Sequence, residues 1–163
     1  MSTQHLLQPF AAGPKEGAAF WSLGGRFTLK APASETDGAY SLFEAVMTKM
    51  AEPPLHLHQA EDEAWEVLDG KLTFYVGERV LEGAPDTFVF APRNVPHTFT
   101  VDVEPTRVLV LVSPGGGFER FVQEAGTPVA GSQGPVPPDP RALAEVAERF
   151  GIKLLGPPPG HKL

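Results

Sequence analysis

The sequence predicts an all-β fold, an antiparallel sandwich or barrel, followed by two short helices. Between residues 20 and 113, short apolar runs alternate with turn residues, at the spacing of about 8–12 residues that is typical of antiparallel sandwiches and barrels. After residue 114, apolar residues recur at the spacing of an amphipathic helix instead. The strand region therefore precedes the helical region along the chain.

The predicted strands are bounded by turn residues, chiefly glycine and proline. They are predicted at residues 64–68, 71–76, 87–90, 98–103 and 107–112, with a longer mixed run at 40–50. Asp69-Gly70 predicts a hairpin turn between the first two. Runs such as LTFYV and RVLVLV are apolar on both faces. Such strands need cover from a helix, a second sheet or a partner subunit, and a homodimer is predicted on this ground.

Two helices are predicted after the strands. Residues 118–125 place apolar side chains on one face. In the second helix Asp139 suits the N-cap, Pro140 the first helical position and Gly151 the position after the last turn. Both helices are interpreted as cover for the β-core, without a chemical role.

Composition and length indicate one structural domain. The 163 residues are divided into an N-terminal segment (1–19), the β-domain (20–113) and a C-terminal part (114–163) with a proline- and glycine-rich linker and tail. The aromatic residues of the strands are interpreted as core: Trp65, Phe74, Phe88, Phe90 and Phe99.

Charge and cysteine content exclude several functions. The formal net charge is −7, which argues against nucleic acid or an anionic membrane as the main partner. There is no cysteine, so disulfides, thiolate nucleophiles and iron–sulfur sites are excluded. The N-terminus lacks the basic and apolar regions of a signal peptide, and no apolar run approaches a membrane span. We therefore expect a cytoplasmic protein with a small-molecule substrate.

Histidines and an acidic run form a candidate metal site. His56 and His58 are two residues apart, so an extended strand points both to one face. The acids at 61–63 follow after a short turn, and His97 opens a later strand after a turn in which Asn94 tolerates a left-handed conformation. Three imidazoles and one carboxylate suit a divalent transition metal ion, which could be Ni, Mn, Fe, Co, Cu or Zn.

The spacing of these residues resembles the motifs of the cupin superfamily. The pattern His56-x-His58-x4-Glu63-x6-Gly70 resembles the first cupin motif. The segment from Gly83 through Pro92-x-Asn94-x-x-His97 resembles the second, with Asn94 where a glycine is usual. The resemblance implies a jelly-roll-type β-barrel that holds one metal ion through His56, His58, Glu63 and His97. Position alone does not choose among the acids at 61–63; the motif selects Glu63, and Glu61, Asp62 and Glu66 are interpreted as surface charges.

The wider run of residues 40–112 and the segment FGIKLLGPPPG are similar to single-domain bacterial cupins of the quercetin 2,3-dioxygenase-like type. This resemblance implies a dioxygenase acting on a small hydroxylated aromatic or enolic substrate, with Glu63 as the catalytic proton acceptor. Trp65 and Phe99 share strand parity with Glu63 and His97 and are candidates for the substrate pocket. Two alternatives stay open: a non-catalytic small-molecule or metal-binding cupin, and a metal-dependent isomerase or lyase.

Overall fold

The computed structural model describes residues 6–157, and within this range it contains ten strands and two α-helices. The predicted mainly antiparallel β-fold with two C-terminal helices is confirmed. The elements are β1 (Ala19–Ser22), β2 (Gly25–Ala31), β3 (Ser41–Met47), β4 (Leu55–His58), β5 (Asp62–Val76), β6 (Arg79–Gly83), β7 (Phe88–Ala91), β8 (His97–Ser113), α1 (Gly117–Ala125), β9 (Thr127–Pro128), α2 (Pro140–Arg149) and β10 (Ile152–Gly156).

The two longest strands, β5 and β8, pair with each other and pass through both halves of the sheet. In the half that we call the β4 half, the order is β10, β4, the first part of β8, the second part of β5, and β6. In the β3 half, the order is β9, β1, β2, β3, the second part of β8, the first part of β5, and β7. Trp65 in one half packs on Phe74 in the other, with ring centroids 5.2 Å apart.

The hairpin predicted at Asp69-Gly70 is wrong, because β5 runs through it without reversing. The pairing with β8 continues on both sides and only shifts in register around Asp69 and Lys71. The predicted strands 98–103 and 107–112 are likewise one strand, β8. The ladder between β5 and β8 therefore prevails over the local turn signal, and Gly70, with a φ of 91°, supplies a bend instead of a turn.

The hydrophobic core lies between the two halves of the sheet. Trp65, Phe74 and Phe99 are buried in it, as predicted. The same prediction is wrong for Phe88 and Phe90, whose exposed fractions are 67% and 49%. On the edge strand β7 the alternate residues, Val89 and Ala91, point inward instead.

The two helices form where the sequence predicts them. The N-cap expected for α2 is present at Asp139, whose carboxylate accepts hydrogen bonds from the backbone N–H groups of Arg141 and Ala142. Gly151 follows the helix with a φ of 70°. In the range 6–157 no helix is both long and apolar enough to cross a membrane.

The segment directly after α2 forms a strand that the sequence does not predict. Residues 152–156 form β10, which pairs antiparallel with β4. Ile152 is buried against the core, and this burial ties the strand down. The prolines after 157, together with His5 and His161, lie outside the described residues.

Candidate metal centre

Four side chains predicted from the motifs meet inside the fold: His56, His58, Glu63 and His97. One potential ligand atom from each lies within 4.8 Å of the others. His58, Glu63 and His97 are buried, and His56 is half-buried. The four side chains therefore converge on a common centre, as the ligands of a single metal ion must.

Strand pairing explains why these residues meet. His56 on β4 is directly opposite His97, the first residue of β8, and their ring centroids are 4.4 Å apart. His58 lies two residues further along β4 and faces the same side. Glu63 enters from the β3 half, on the first part of β5. The candidate centre is therefore built by both halves of the sheet.

Two of the three imidazoles are fixed by backbone carbonyls through Nδ1. Nδ1 of His56 lies 2.8 Å from the carbonyl oxygen of Pro54, and Nδ1 of His97 lies 3.0 Å from that of Val95. A carbonyl oxygen only accepts, so each Nδ1 donates and Nε2 is left to face the cluster. Metal-binding histidines commonly show this arrangement, because the outer hydrogen bond fixes the ring orientation.

The inner nitrogen of His58 has an unmet hydrogen-bonding capacity. Nε2 lies 3.1 Å from Glu63 Oε2, but the angles are not those of a hydrogen bond, and this buried atom has no other partner among residues 6–157. Nε2 of His97 is also 3.1 Å from Glu63 Oε2. A buried, inward-facing imidazole nitrogen without a hydrogen-bond partner is suited to a metal ion as its partner. The residues present thus fit a divalent transition metal.

The charges of the cluster are strongly coupled. Burial lowers the pKa of His58, but the attraction of Glu63 and the hydrogen bond to Glu61 outweigh it and raise the pKa to about 9. For Glu63, burial opposes ionisation, but His58 and His97 hold the pKa well below its ordinary range. Burial and the neighbouring His97 lower the pKa of His56 to about 3. Without metal, the cluster therefore carries an ionised Glu63 beside a protonated His58.

Glu61 is buried, at 6% exposure, so its interpretation as a surface charge is wrong. Its carboxylate lies 3.2 Å from Nδ1 of His58 and accepts a hydrogen bond from the backbone N–H of Phe118. The same interpretation is right for Glu66, which is exposed, whereas Asp62 is half-buried. Three consecutive acids give no sequence signal for which of them faces inward.

A cavity opens onto the ligand cluster. It encloses about 590 Å³ between atoms, open solvent at its mouth included. Trp65 and Phe99, the two candidate pocket residues, both line it. Apart from His56, His58 and Glu63, the side chains that line it in the described part of the chain are apolar.

The helical segments contribute directly to this cavity, so the interpretation of the helices as mere cover is incomplete. The cavity-lining side chains of this part of the chain are Phe118 and Phe121 from α1, Leu143 from α2, and Ile152 and Leu154 from β10. The apolar stripes of the helices predict burial, but the sequence gives no signal that they are buried against a cavity.

Sequence comparisons agree with the motifs. A family model described as "Cupin domain" matches residues 43–112. Quercetin 2,3-dioxygenase from Bacillus subtilis (strain 168) is 26% identical over 133 residues, which cover 79% of this chain. The match covers 39% of that relative, so the chain corresponds to well under half of its length.

Solved structures show the same fold at low sequence identity. KdgF from Halomonas sp. superposes with a TM-score of 0.58 at 16% identity, over 67% of this chain and 96% of its own. Pac13 from Streptomyces, described as a unique nucleoside dehydratase, gives 0.56 at 11%, over 75% and 92%. An RmlC-like cupin from Shewanella frigidimarina NCIMB 400 gives 0.55 at 15%, over 68% and 96%. The two motifs, the match of residues 43–112 to a cupin-domain model and the shared fold all make this chain similar to cupins.

Proposed function

We propose that this protein is a metal-dependent cupin dioxygenase of the quercetinase-like type, acting on a small hydroxylated aromatic or enolic substrate. The observation that carries the proposal is a cluster of three imidazoles and one carboxylate at the end of an apolar cavity. The similarity to the Bacillus enzyme supports the reaction class. The proposal includes both the dioxygenase activity and the roles of the four clustered residues as metal ligands.

His56, His58, Glu63 and His97 would hold the metal, and substrate or water could complete its coordination. When bound, a divalent transition metal supplies Lewis acidity that makes a coordinated hydroxyl group more acidic. The candidates are Ni, Mn, Fe, Co, Cu and Zn, because imidazole binds all of them and affinity alone does not identify the physiological ion.

Glu63 is proposed as the group that takes up the substrate proton. It is 5% exposed and its Oε2 faces Nε2 of both His58 and His97. A carboxylate held ionised at this place can ligate the metal and accept the hydroxyl proton as the substrate anion forms. The histidines supply fixed nitrogen ligands for the metal, and Glu63 supplies a negative charge that can take up a proton.

The lining of the cavity defines the substrate class. A sugar or nucleoside carries several hydroxyl groups, and each would lose hydrogen bonds to water on entering a site with apolar walls. Here the polar side chains of the lining come from the ligand cluster itself. The cavity therefore suits a substrate with an apolar body and one oxygen-bearing end that faces the metal.

The size of the cavity further limits which substrates can bind. The centre of a water-sized molecule can move within about 60 Å³ of it, and one water needs roughly 10–15 Å³ on such a measure. The cavity thus has room for a few waters or one small ring. A single-ring phenol, catechol or small enol fits better than a three-ring flavonol, which would need α1 or α2 to move.

The test is oxygen consumption by protein of known metal content. The protein is purified without chelator or nickel column, its metal is measured, and it is then loaded with each candidate ion in turn. We expect oxygen uptake with a catechol or a small 1,3-diketone, slower uptake with quercetin, and none with uridine. Carbon monoxide release from a flavonol would further support the quercetinase-like chemistry.

Three results would contradict the proposal. Metal-loaded protein that consumes no oxygen with any phenol, enol or flavonol is not a dioxygenase of this type. If one of these compounds raises the melting temperature without turnover, the non-catalytic binding function is favoured. Conversion without oxygen uptake would instead indicate an isomerase or lyase.

We further propose that the protein is cytoplasmic and that it forms a homodimer, the latter because several of its strands are apolar on both faces and need cover. Sedimentation velocity tests the assembly. A species at twice the 17.5 kDa chain mass is expected, and a monomer over the whole micromolar range would contradict it.

A further inference from the structure

We propose that Glu61 is a positioning residue: it fixes the ring of His58 from outside, couples it to helix α1, and so aims Nε2 of His58 at the metal position. This inference rests on the metal site proposed above. It adds a residue that the cupin motif leaves unassigned and that lies two positions before the motif glutamate.

Both carboxylate oxygens of Glu61 are committed. Oε2 lies 3.2 Å from Nδ1 of His58, and Oε1 accepts a hydrogen bond of 2.9 Å from the backbone N–H of Phe118. The side chain is buried at 6% exposure. A carboxylate in this place has lost its water, so these two contacts replace its solvation and its position is tightly defined.

His58 differs in this respect from the other two imidazoles. His56 and His97 are fixed by backbone carbonyls two residues earlier in the chain, so the course of the backbone sets their orientation. His58 depends on a side chain. Outer carboxylates of this kind fix the ring of a ligating histidine and make it a stronger donor.

The hydrogen bond between Glu61 and the N–H of Phe118 connects His58, a proposed metal ligand, to the helix that lines the cavity. Phe118 is the second residue of α1, and its N–H is among the free donors at the start of the helix, where a negative charge is favoured. The Phe118 ring packs 5.6 Å from the His58 ring and lines the cavity. Glu61 thereby holds a ligand and a cavity-lining helix in one fixed relation.

Gly117 gives independent support for a defined carboxylate position. A Cβ atom at residue 117 would lie 2.2 Å from Oε1 of Glu61. A side chain there can be accommodated only if the carboxylate moves. The Gly117→Ala substitution therefore displaces Glu61 without removing its charge, and it offers a second route to the same perturbation.

The main experiment compares Co²⁺ and Zn²⁺ dissociation constants of wild type and Glu61→Gln. Glutamine is nearly isosteric and its carbonyl oxygen can still accept from Phe118, so the fold is retained, but it lacks the charge that orients His58. We expect roughly 10-fold weaker binding, at the lower end of the range for outer partners of metal ligands. The visible spectrum of the Co²⁺ protein should change as well.

Glu119→Gln is the matched control. Glu119 lies on the same helix and anchors it elsewhere, because its Oε2 accepts from the N–H of Ala33 and the hydroxyl of Ser41. These contacts do not involve any of the four ligands. We expect this variant to lose stability while keeping the wild-type metal affinity. Gly117→Ala should instead weaken metal binding as Glu61→Gln does.

A second readout is the ¹⁵N NMR signal of the His58 ring in the zinc-loaded protein. We expect a protonated Nδ1 and a ligating Nε2 in wild type, with the Nδ1–H signal shifted or broadened in Glu61→Gln. The inference is overturned if Glu61→Gln and Gly117→Ala keep wild-type affinity and spectra, or if Glu119→Gln weakens binding equally. A wild type that binds no metal overturns the proposed function itself, and this result is distinguishable from the others.

Discussion

A single oxygen atom of Glu63 faces two imidazoles. Oε2 lies 3.1 Å from Nε2 of both His58 and His97. Replacing the carboxylate by an amide keeps the shape but removes the only negative charge among the four proposed ligands. We expect Glu63→Gln to weaken metal binding by more than the roughly 10–100-fold typical of outer partners, and to abolish turnover.

Calorimetric metal titration checks this prediction, and Glu66→Gln is its control. Glu66 lies on the same strand but on the exposed face, so it should bind metal as wild type does. Equal affinities of the two variants would contradict the ligand role of Glu63.

The pH dependence follows from His58. Its pKa is raised to about 9 without metal, so the ring is protonated at neutral pH, whereas His56, with a pKa of about 3, is neutral. A metal takes the place of the proton. We expect at least one proton to be released per bound ion at neutral pH, and metal affinity to rise with pH up to the pKa of about 9.

Titrations in two buffers with different ionisation enthalpies measure this release. Binding enthalpies that are the same in both buffers would contradict the prediction. At about pH 4 the metal should be lost, because this pH lies far below the His58 pKa of about 9 and the proton then competes strongly with the metal for that ring; full occupancy at that pH would equally count against the prediction.

At the scale of single residues, the sequence predicts the four residues that cluster but not the residue that supports His58 from outside. The spacing of His56, His58, Glu63 and His97 can be recognised in the sequence because two short motifs describe it. The burial of Glu61 depends on Phe118, 57 residues away, and no local pattern encodes that contact.

At the scale of elements, the bend of β5 at Gly70 carries a prediction about stability. The residue has a φ of 91°, and a Cβ there would lie 2.2 Å from Oγ1 of Thr106 on β8. We expect Gly70→Ala to destabilise the protein by more than about 2 kcal/mol, since left-handed backbone costs roughly 1–2 kcal/mol for alanine before any clash is counted.

Chemical denaturation measures this loss against Gly38→Ala. Gly38 also has a positive φ, 76°, but a Cβ there has open space within 4 Å. It should show the conformational cost alone. Equal losses in both variants would mean that the approach of Thr106 does not matter.

The same bend explains which elements the sequence predicts well. Helix α2 follows from Asp139, Pro140 and Gly151, because caps act over a few neighbouring residues. Asp69-Gly70 carries an equally clear local signal, but the partner strand β8 extends past it and keeps the chain from reversing. Strand β10 is missed for the same reason: its formation depends on β4, which lies far earlier in the chain.

For the whole molecule, the placement of the four proposed ligands predicts a link between metal and stability. His56, His58 and His97 belong to the β4 half and Glu63 to the β3 half. An ion bound by all four stabilises the folded state by about 2.7 kcal/mol at a free concentration 100 times its dissociation constant. Thermal unfolding with Ni²⁺ and with EDTA should show a higher midpoint with metal, and Glu63→Gln should lose most of that difference.

The exposed aromatic pair on β7 is a feature of the surface rather than of the core. Phe88 and Phe90 leave large apolar faces at an edge strand, and larger exposed apolar patches often mark interaction surfaces. The oligomeric state is therefore best measured on the wild-type chain, before Phe88 or Phe90 is changed.

Strands β5 and β8 are shared by both halves of the sheet. We expect that neither half opens while the other stays closed, because β5 and β8 remain paired on both sides of the register shift around Asp69 and Lys71. We therefore expect hydrogen exchange to show that the slowest-exchanging amides of the two halves of the sheet open in a single event, with the same free energy of opening.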